Sequence, residues 1–408
     1  MKLSKLLIVS LLLITLSGCN RVDSLNLHII SDVHYAPREY FEYVGKFKES
    51  NDANGTGKQI KYQEEIIDAY INEEIANNTK YIVITGDLVF SGSLKAHNAF
   101  AEKFHRLIDN GIKVLVIPGN HDFDYYPFTY NNDSIIYSNQ IEAKDFKEIY
   151  QDYGYKDALS VDENSLSYLY KLSDSTCLLA LDTLNKYGNV DGEISEDTLL
   201  WIDDQLDYAD KHNMRVIAVG HHNLYTHNYL YDFGYRINNA EKIIDLFNKH
   251  NVKLYLSGHM HIQDILNTRY VTEVLNSSFT IYPHHYGDLT ITNNEFYYES
   301  KKVDVEKYTD SSNFDLINYN TYGYDYTYNS FHQQIISRMD DLSSIDDITQ
   351  KIIDDETILN AEYFMGIQDT NDYSYLSSPA NSKLVSGYIK SILKYIGKNN
   401  TKVSGTIK

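Results

Sequence analysis

Six short apolar runs, at residues 25–31, 81–85, 112–117, 176–181, 215–219 and 252–256, recur along the chain with helical patterns between them. Several are apolar at nearly every position, the pattern of strands buried on both faces. Ile66, Ile67, Tyr70, Ile71 and Ile75 share one helical face, as do Phe100, Phe104, Leu107 and Ile108. Ser195 opens a third helix carrying Leu199, Ile202 and Leu206, and Ile243, Ile244 and Phe247 mark a fourth. Strand alternating with helix predicts an α/β fold with covered sheets.

The residues that leave each strand narrow the chemistry. The first strand ends on Asp32-Val33-His34, the second on Gly86-Asp87, and the third on Gly119-Asn120-His121-Asp122. The fifth ends on Gly220-His221-His222 and the sixth on Gly258-His259-Met260-His261. Residues able to bind metal therefore gather at the carboxyl ends of five strands, where open α/β sheets place their sites. Asp32, His34, Asp87, Asn120, His221, His259 and His261 offer only nitrogen and oxygen donors. A closed structural zinc site would use four ligands, commonly thiolates. Seven are too many for one ion and suit two ions sharing a carboxylate bridge, for which Asp87 is the natural candidate. Mixed imidazole and carboxylate ligands favour Mn, Fe, Zn or Co over Ca or Mg. Two such ions clamp an in-line displacement at phosphorus and acidify a bound water. In this setting His121 is placed to protonate a leaving oxygen, and Asp122 is expected to hold its ring.

Asp-x-His, Gly-Asp, Gly-Asn-His-Asp, His and Gly-His-x-His, in that order, resemble the calcineurin-like metallophosphoesterase family over residues 26–300. The resemblance implies a β-sandwich of two mixed sheets flanked by helices. It implies that Asp32, His34, Asp87 and His261 hold one metal, and Asp87, Asn120, His221 and His259 the other. It marks His121 as the catalytic histidine. With a helical tail, the motif order is similar to bacterial class III cyclic-nucleotide phosphodiesterase-like lipoproteins. The run from Gly119 to Tyr125 is also similar to 5′-nucleotidases. Those carry Gly after the first Asp-x-His, where this chain has Tyr35, and a strand-containing C-terminal domain. A small phosphodiester such as a cyclic nucleotide is thus the expected substrate. A 5′-nucleotidase or general phosphomonoesterase is the alternative, and a non-enzymatic lipid-anchored binding protein a remote one.

The segments after the third and fifth strands are rich in aromatics, including Tyr125, Tyr126, Phe128, Tyr229 and Phe233. His222, Tyr225 and Arg236 are the candidate substrate contacts there, by stacking or by meeting a phosphate. Residues 288–292 and 295–299, separated by Asn293-Asn294, read as a hairpin completing the second sheet. From 309 onward helical stripes take over, at 333–342, 345–354, 358–365 and 383–396, and the stretch from Gly397 reads as a loose polar tail.

The start, MKLSKLLIVSLLLITLSGC, is basic and then apolar, too short to span a membrane alone. Leu16-Ser17-Gly18-Cys19 looks like a bacterial lipobox, in which the cysteine carries the lipid. The expected organisation is a signal peptide at 1–18, a tether at 19–26, the metallophosphoesterase domain at 27–308 and a C-terminal helical domain at 309–408. The expected location is the extracytoplasmic face of a bacterial membrane. Lipidation of Cys19 leaves Cys177 as the one free thiol, so no intrachain disulfide framework is available. The formal net charge of −21 repels polyanions, which disfavours nucleic-acid polymers as partners.

Overall fold

The computed structural model describes residues 24–131, 133–338, 347–368, 373–377 and 383–407. The leader, the lipobox with Cys19, and part of the helices expected at 333–342 and 345–354 lie outside the described residues. The strands, in chain order, are β1 (Ser24–Ile30), β2 (Tyr81–Thr85), β3 (Lys113–Ile117), β4 (Phe128–Asn131), β5 (Ser134–Tyr137), β6 (Ser160–Val161), β7 (Tyr168–Ser173) and β8 (Thr176–Ala180). They continue with β9 (Arg215–Val219), β10 (Leu254–Ser257), β11 (Asp264–Asn267), β12 (Thr272–Leu275), β13 (His285–Thr292), β14 (Glu295–Lys302) and β15 (Lys402–Thr406).

Two mixed sheets result, with orders β15-β14-β13-β1-β2-β3 and β11-β12-β10-β9-β8-β7-β6. In the first, β1, β2 and β3 run parallel and β13, β14 and β15 are antiparallel additions. In the second, β8, β9, β10 and β12 are parallel. Side chains on a strand alternate faces, and β8 shows where each goes. Leu178 and Ala180 join a core shared with Ile29, Val83 and Leu115 of the first sheet. Cys177 and Leu179 face the other way, into a core with Ile202, Leu206, Ile243 and Phe247. The second sheet is thus buried on both faces, as its unbroken apolar runs require.

The helices are α1 (Gly45–Asn54), α2 (Gln63–Asn77), α3 (Leu94–Asp109), α4 (Ala143–Ile149), α5 (Glu196–Lys211) and α6 (Ala240–Lys249). The four expected amphipathic helices are α2, α3, α5 and α6, and the Ser195 hydroxyl caps α5 by accepting from the Thr198 amide. Beyond the hairpin of β13 and β14 come α7 (Val305–Tyr308), α8 (Phe314–Ile317), α9 (Tyr319–Ile336), α10 (Asp347–Met365) and α11 (Lys383–Leu393). The helices expected at 345–354 and 358–365 are one continuous helix, α10. Leu359, Tyr363, Val385, Ile389 and Ile392 of α10 and α11 pack on Ile262, in the loop between β10 and β11, and on Leu275 of the second sheet.

One expectation is corrected. The stretch from Gly397 is not loose: Lys402–Thr406 forms β15, pairing antiparallel with β14 from Glu295↔Thr406 to Glu299↔Lys402. Its few apolar residues gave it little sequence signal, yet backbone pairing with an open edge suffices to order it, and Ile407 is buried beside it. Among the described residues no helix is long and apolar enough to cross a membrane.

Candidate metal centre and active site

All seven predicted ligands converge where the two sheets meet. Each follows its strand directly, so the ends of β1, β2 and β3 face those of β9 and β10. Five of the seven adopt left-handed backbone: Asp32 (φ 50°), His34 (φ 43°), Asp87 (φ 50°), His259 (φ 73°) and His261 (φ 63°). Such conformations cost about 1–3 kcal/mol each outside glycine and gather at functional sites. Two glycines let the loops close. A Cβ on Gly86 (φ +90°) would come 2.6 Å from His221 Nδ1, and one on Gly258 1.8 Å from Ser31 Oγ. Neither site admits a side chain.

One oxygen or nitrogen from each of Asp32, His34, Asp87 and His261 lies within 4.8 Å of the others, and the same holds for Asp87, His221 and His259. Asp87 belongs to both groups. The facing atoms fit a cation better than each other. His34 Nε2 stands 3.0 Å from His261 Nε2, and His221 Nε2 stands 3.2 Å from Asn120 Oδ1. The His221 Nδ1 hydrogen bond to the Thr85 carbonyl, at 2.8 Å, leaves Nε2 with its lone pair toward the site. Likewise His259 Nε2 donates to the Gly234 carbonyl at 2.8 Å, leaving Nδ1 free to ligate. Imidazole and amide atoms this close to one another beside two buried carboxylates make a donor set suited to a cation between its members.

Without a cation the site holds a proton in its place: burial lowers His221, but Asp87 outweighs it and raises the imidazole to about 9. Burial pushes the Asp87 carboxyl up, but His221, His121 and His34 outweigh it and hold it well below the usual carboxylate range. Burial likewise opposes ionisation of Asp32, and His261 overcomes it. His259 is driven down to about 3 by burial and by the neighbouring His221, so its imidazole is neutral and able to ligate.

His121 lies at the rim, with its side chain 40% exposed. Its ring meets that of His34 edge-on, centroids 5.0 Å apart, and its backbone N–H donates to Asp87 Oδ1 at 2.8 Å. Asp122 does not hold the His121 ring. Its buried carboxylate accepts backbone N–H groups instead, from Gly119 at 2.8 Å, Leu88 at 2.9 Å and Val89 at 3.2 Å, and so ties the loop after β2 to the loop after β3. The carboxylate beside the ring is Asp124, whose Oδ1 is 3.6 Å from His121 Nδ1.

The three expected substrate contacts are placed differently. His222 is buried with both ring nitrogens engaged, by Thr183 Oγ1 at 2.8 Å and the Val190 carbonyl at 2.9 Å. The half-buried Tyr225 receives a hydrogen bond from Thr268. Arg236 donates to the Leu224 carbonyl and pairs with Glu241. None of the three belongs to the ligand groups.

Two cavities border the site. One, of about 430 Å³, is lined by Lys58, Phe90, His121, Asp124, Tyr126 and Phe128, among others. The other, of about 270 Å³, has Tyr235, His259, His261, Phe331, Arg338 and Tyr363 in its walls. Thr56 borders both. Lys58, Asp124 and Arg338 were not singled out by the sequence. Only Asp124 had a signal, its place three residues after His121.

A solved structure shares this frame. A dimetal phosphatase from Danio rerio is 13% identical and matches 68% of this chain and 96% of its own, with a TM-score of 0.50. A purple acid phosphatase from yellow lupin (Lupinus luteus) seeds is 12% identical and matches 69% and 52%, with a TM-score of 0.48. No curated protein sequence matches the chain. The profile of the calcineurin-like phosphoesterases, which use a dinuclear metal centre, matches residues 25–263 and so takes in all seven converging donors and His121. More than half of the chain lies inside that match, and the chain belongs to the calcineurin-like phosphoesterase family.

Proposed function

We propose that this phosphoesterase hydrolyses a small phosphodiester, with nucleoside cyclic phosphates the first to test, at the outer face of a bacterial membrane. The observation that carries the diester reading is the pair of aromatic-lined cavities, one walled by His259 and His261 and the other by His121 and Asp124. A diester places substituents on two sides of phosphorus, whereas a monoester needs one. Tyr, Phe and His faces suit a base or aryl group, and stacking is worth about 1–3 kcal/mol per base.

In this reading Asp32, His34, Asp87 and His261 hold one transition ion, Mn, Fe or Zn, and Asp87, Asn120, His221 and His259 the other. Bound there, two such ions supply positive charge against the attacking and leaving oxygens. His121 lines the larger cavity and gives a proton to the oxygen that departs into it. Asp124, beside its ring, orients it. Asp122 keeps the two loops that carry Asp87 and Asn120 in register. The leader and the lipobox ending at Cys19 support export and lipid anchoring.

The test is the ratio of kcat/KM for cyclic nucleotides and bis(p-nitrophenyl) phosphate to that for nucleoside monophosphates, in one buffer with manganese. A ratio above one is expected. A ratio well below one sinks the diester reading and promotes the monoesterase alternative.

A further inference from the structure

We propose that Lys58, on the loop between α1 and α2, is the phosphate-binding cation of this site. The proposal rests on the phosphoesterase reading above and adds to it a residue outside every metal-ligating motif. The loop reads Gly55-Thr56-Gly57-Lys58, with left-handed glycines at Gly55 (φ +60°) and Gly57 (φ +77°).

Helix α9 packs tightly against this loop. A Cβ on Gly55 would lie 2.8 Å from Gln334 Cβ, and one on Gly57 3.1 Å from the Phe331 ring. The loop is pinned from both sides. Lys58 bridges to Ile281, and the Gln59 amide donates to the Thr280 carbonyl at 2.8 Å. From α9, Ser330 Oγ accepts the Gly57 amide at 2.9 Å, and the Tyr326 hydroxyl donates to the Lys58 carbonyl at 3.2 Å. A lysine on a backbone held this firmly gives up less freedom when it meets a ligand.

Its side chain enters the cavity that also holds His121 and Asp124, with the ammonium 5.8 Å from the Phe90 ring centroid. The ammonium is within electrostatic reach of Asp87, Asp32 and Asp124. Yet no carboxylate lies within 4.0 Å of it among the described residues. Its neighbours in sequence contrast with it: Lys48 pairs with Asp52 at 2.6 Å and Lys61 with Asp315 at 3.3 Å. In a chain with 57 acidic and 36 basic residues, a half-buried lysine held apart from carboxylates is unusual. A non-bridging phosphoryl oxygen satisfies it, since a compact ammonium binds phosphate as a point charge.

The experiment uses the manganese-loaded full chain in detergent, with inorganic phosphate as the probe in calorimetric titration and metal content measured on the same samples. Lys58→Gln is expected to raise the phosphate Kd about tenfold, as for loss of one charge-assisted hydrogen bond. Both ions should stay bound, and KM for an ester substrate should rise more than kcat falls. Lys58→Arg should recover part of the binding. An unchanged Kd in Lys58→Gln overturns the proposal, and so does a loss of binding that tracks loss of metal. A wild-type chain that binds phosphate through Lys58 but turns over no ester refutes the phosphoesterase reading and leaves this one standing.

Discussion

The two sheets contribute unlike chemistry to one centre. The six-stranded sheet supplies every oxygen donor, Asp32, Asp87 and Asn120, together with the single imidazole of His34. The seven-stranded sheet supplies His221, His259 and His261 and no carboxylate. It does own carboxylates near its ligand loops, but they are spent within it. Asp264 of β11 lies 2.9 Å from His227 Nδ1, and Glu273 of β12 lies 3.2 Å from His227 Nε2. One sheet therefore brings the carboxylates to the joint and the other brings imidazoles alone. Neither half is a candidate site alone, and cations bound at the joint would tie the halves together.

Asp87 is the sharpest place to break this division, because it alone belongs to both ligand groups. Asp87→Ala is expected to lower metal content below two ions per chain and to abolish turnover. The loss should exceed the 10–100-fold, roughly, that even an outer partner of a metal ligand carries. Metal analysis decides: a variant retaining two tightly held ions would show that the sheets do not share that carboxylate.

Next in size is His121→Ala. Its ring is not in either ligand group, so the metals should stay while turnover falls by about 10²–10⁴-fold. The fall should shrink for nitrophenyl esters, whose leaving oxygen needs no proton. Equal losses for good and poor leaving groups would remove the acid role. Asp124→Asn should reproduce part of the effect, and Asp122→Asn should act instead through the stability of the two loops.

The smallest effect probes the seven-stranded sheet by itself. Burial works against charging His227, but Glu273 and Asp264 raise its pKa from 6.5 to about 9. A raised histidine stabilises the fold fully below its unfolded pKa and loses that contribution as pH climbs through the folded one. The contribution of His227 to stability should therefore decline between about pH 6.5 and pH 9. His227→Gln should be the less stable protein at pH 6.5, with the gap closing by about pH 9.5. Denaturant titrations at both ends measure it, and a gap independent of pH would mean that His227 is not held as an imidazolium.

The candidate metal donors were legible because each sits within four residues of an apolar strand, so finding the strand located the donor. The β13–β14 hairpin was legible for the same kind of reason, an alternating pattern broken at Asn293-Asn294. The role of Asp122 was not legible, because adjacency in sequence is not adjacency in space. Asn120–Phe123 is a 3₁₀ turn, and in such a turn side chains three apart line up while neighbours diverge. That puts Asp124 beside His121 and turns Asp122 under the backbone. Lys58 had no strand to announce it. Its place depends on α9 reaching back across more than two hundred residues of sequence. Helix α9 itself was mostly hidden, since its tyrosines are weak helix formers and buried contacts from Tyr319, Thr327 and Phe331 sustain it.

The pairing of β15 with β14 changes how the helical segment should be thought of. Glu299 and Lys402 are partners across two neighbouring strands, so everything between them leaves and re-enters the sheet at almost the same point. In topological terms residues 303–401 are the loop of a hairpin, enlarged until it carries helices of its own. Such a loop can lengthen, shorten or be exchanged without moving either strand. The constraint lies elsewhere, in what it covers: a replacement would need to shield Ile262 and Leu275 and to hold the loop bearing Lys58.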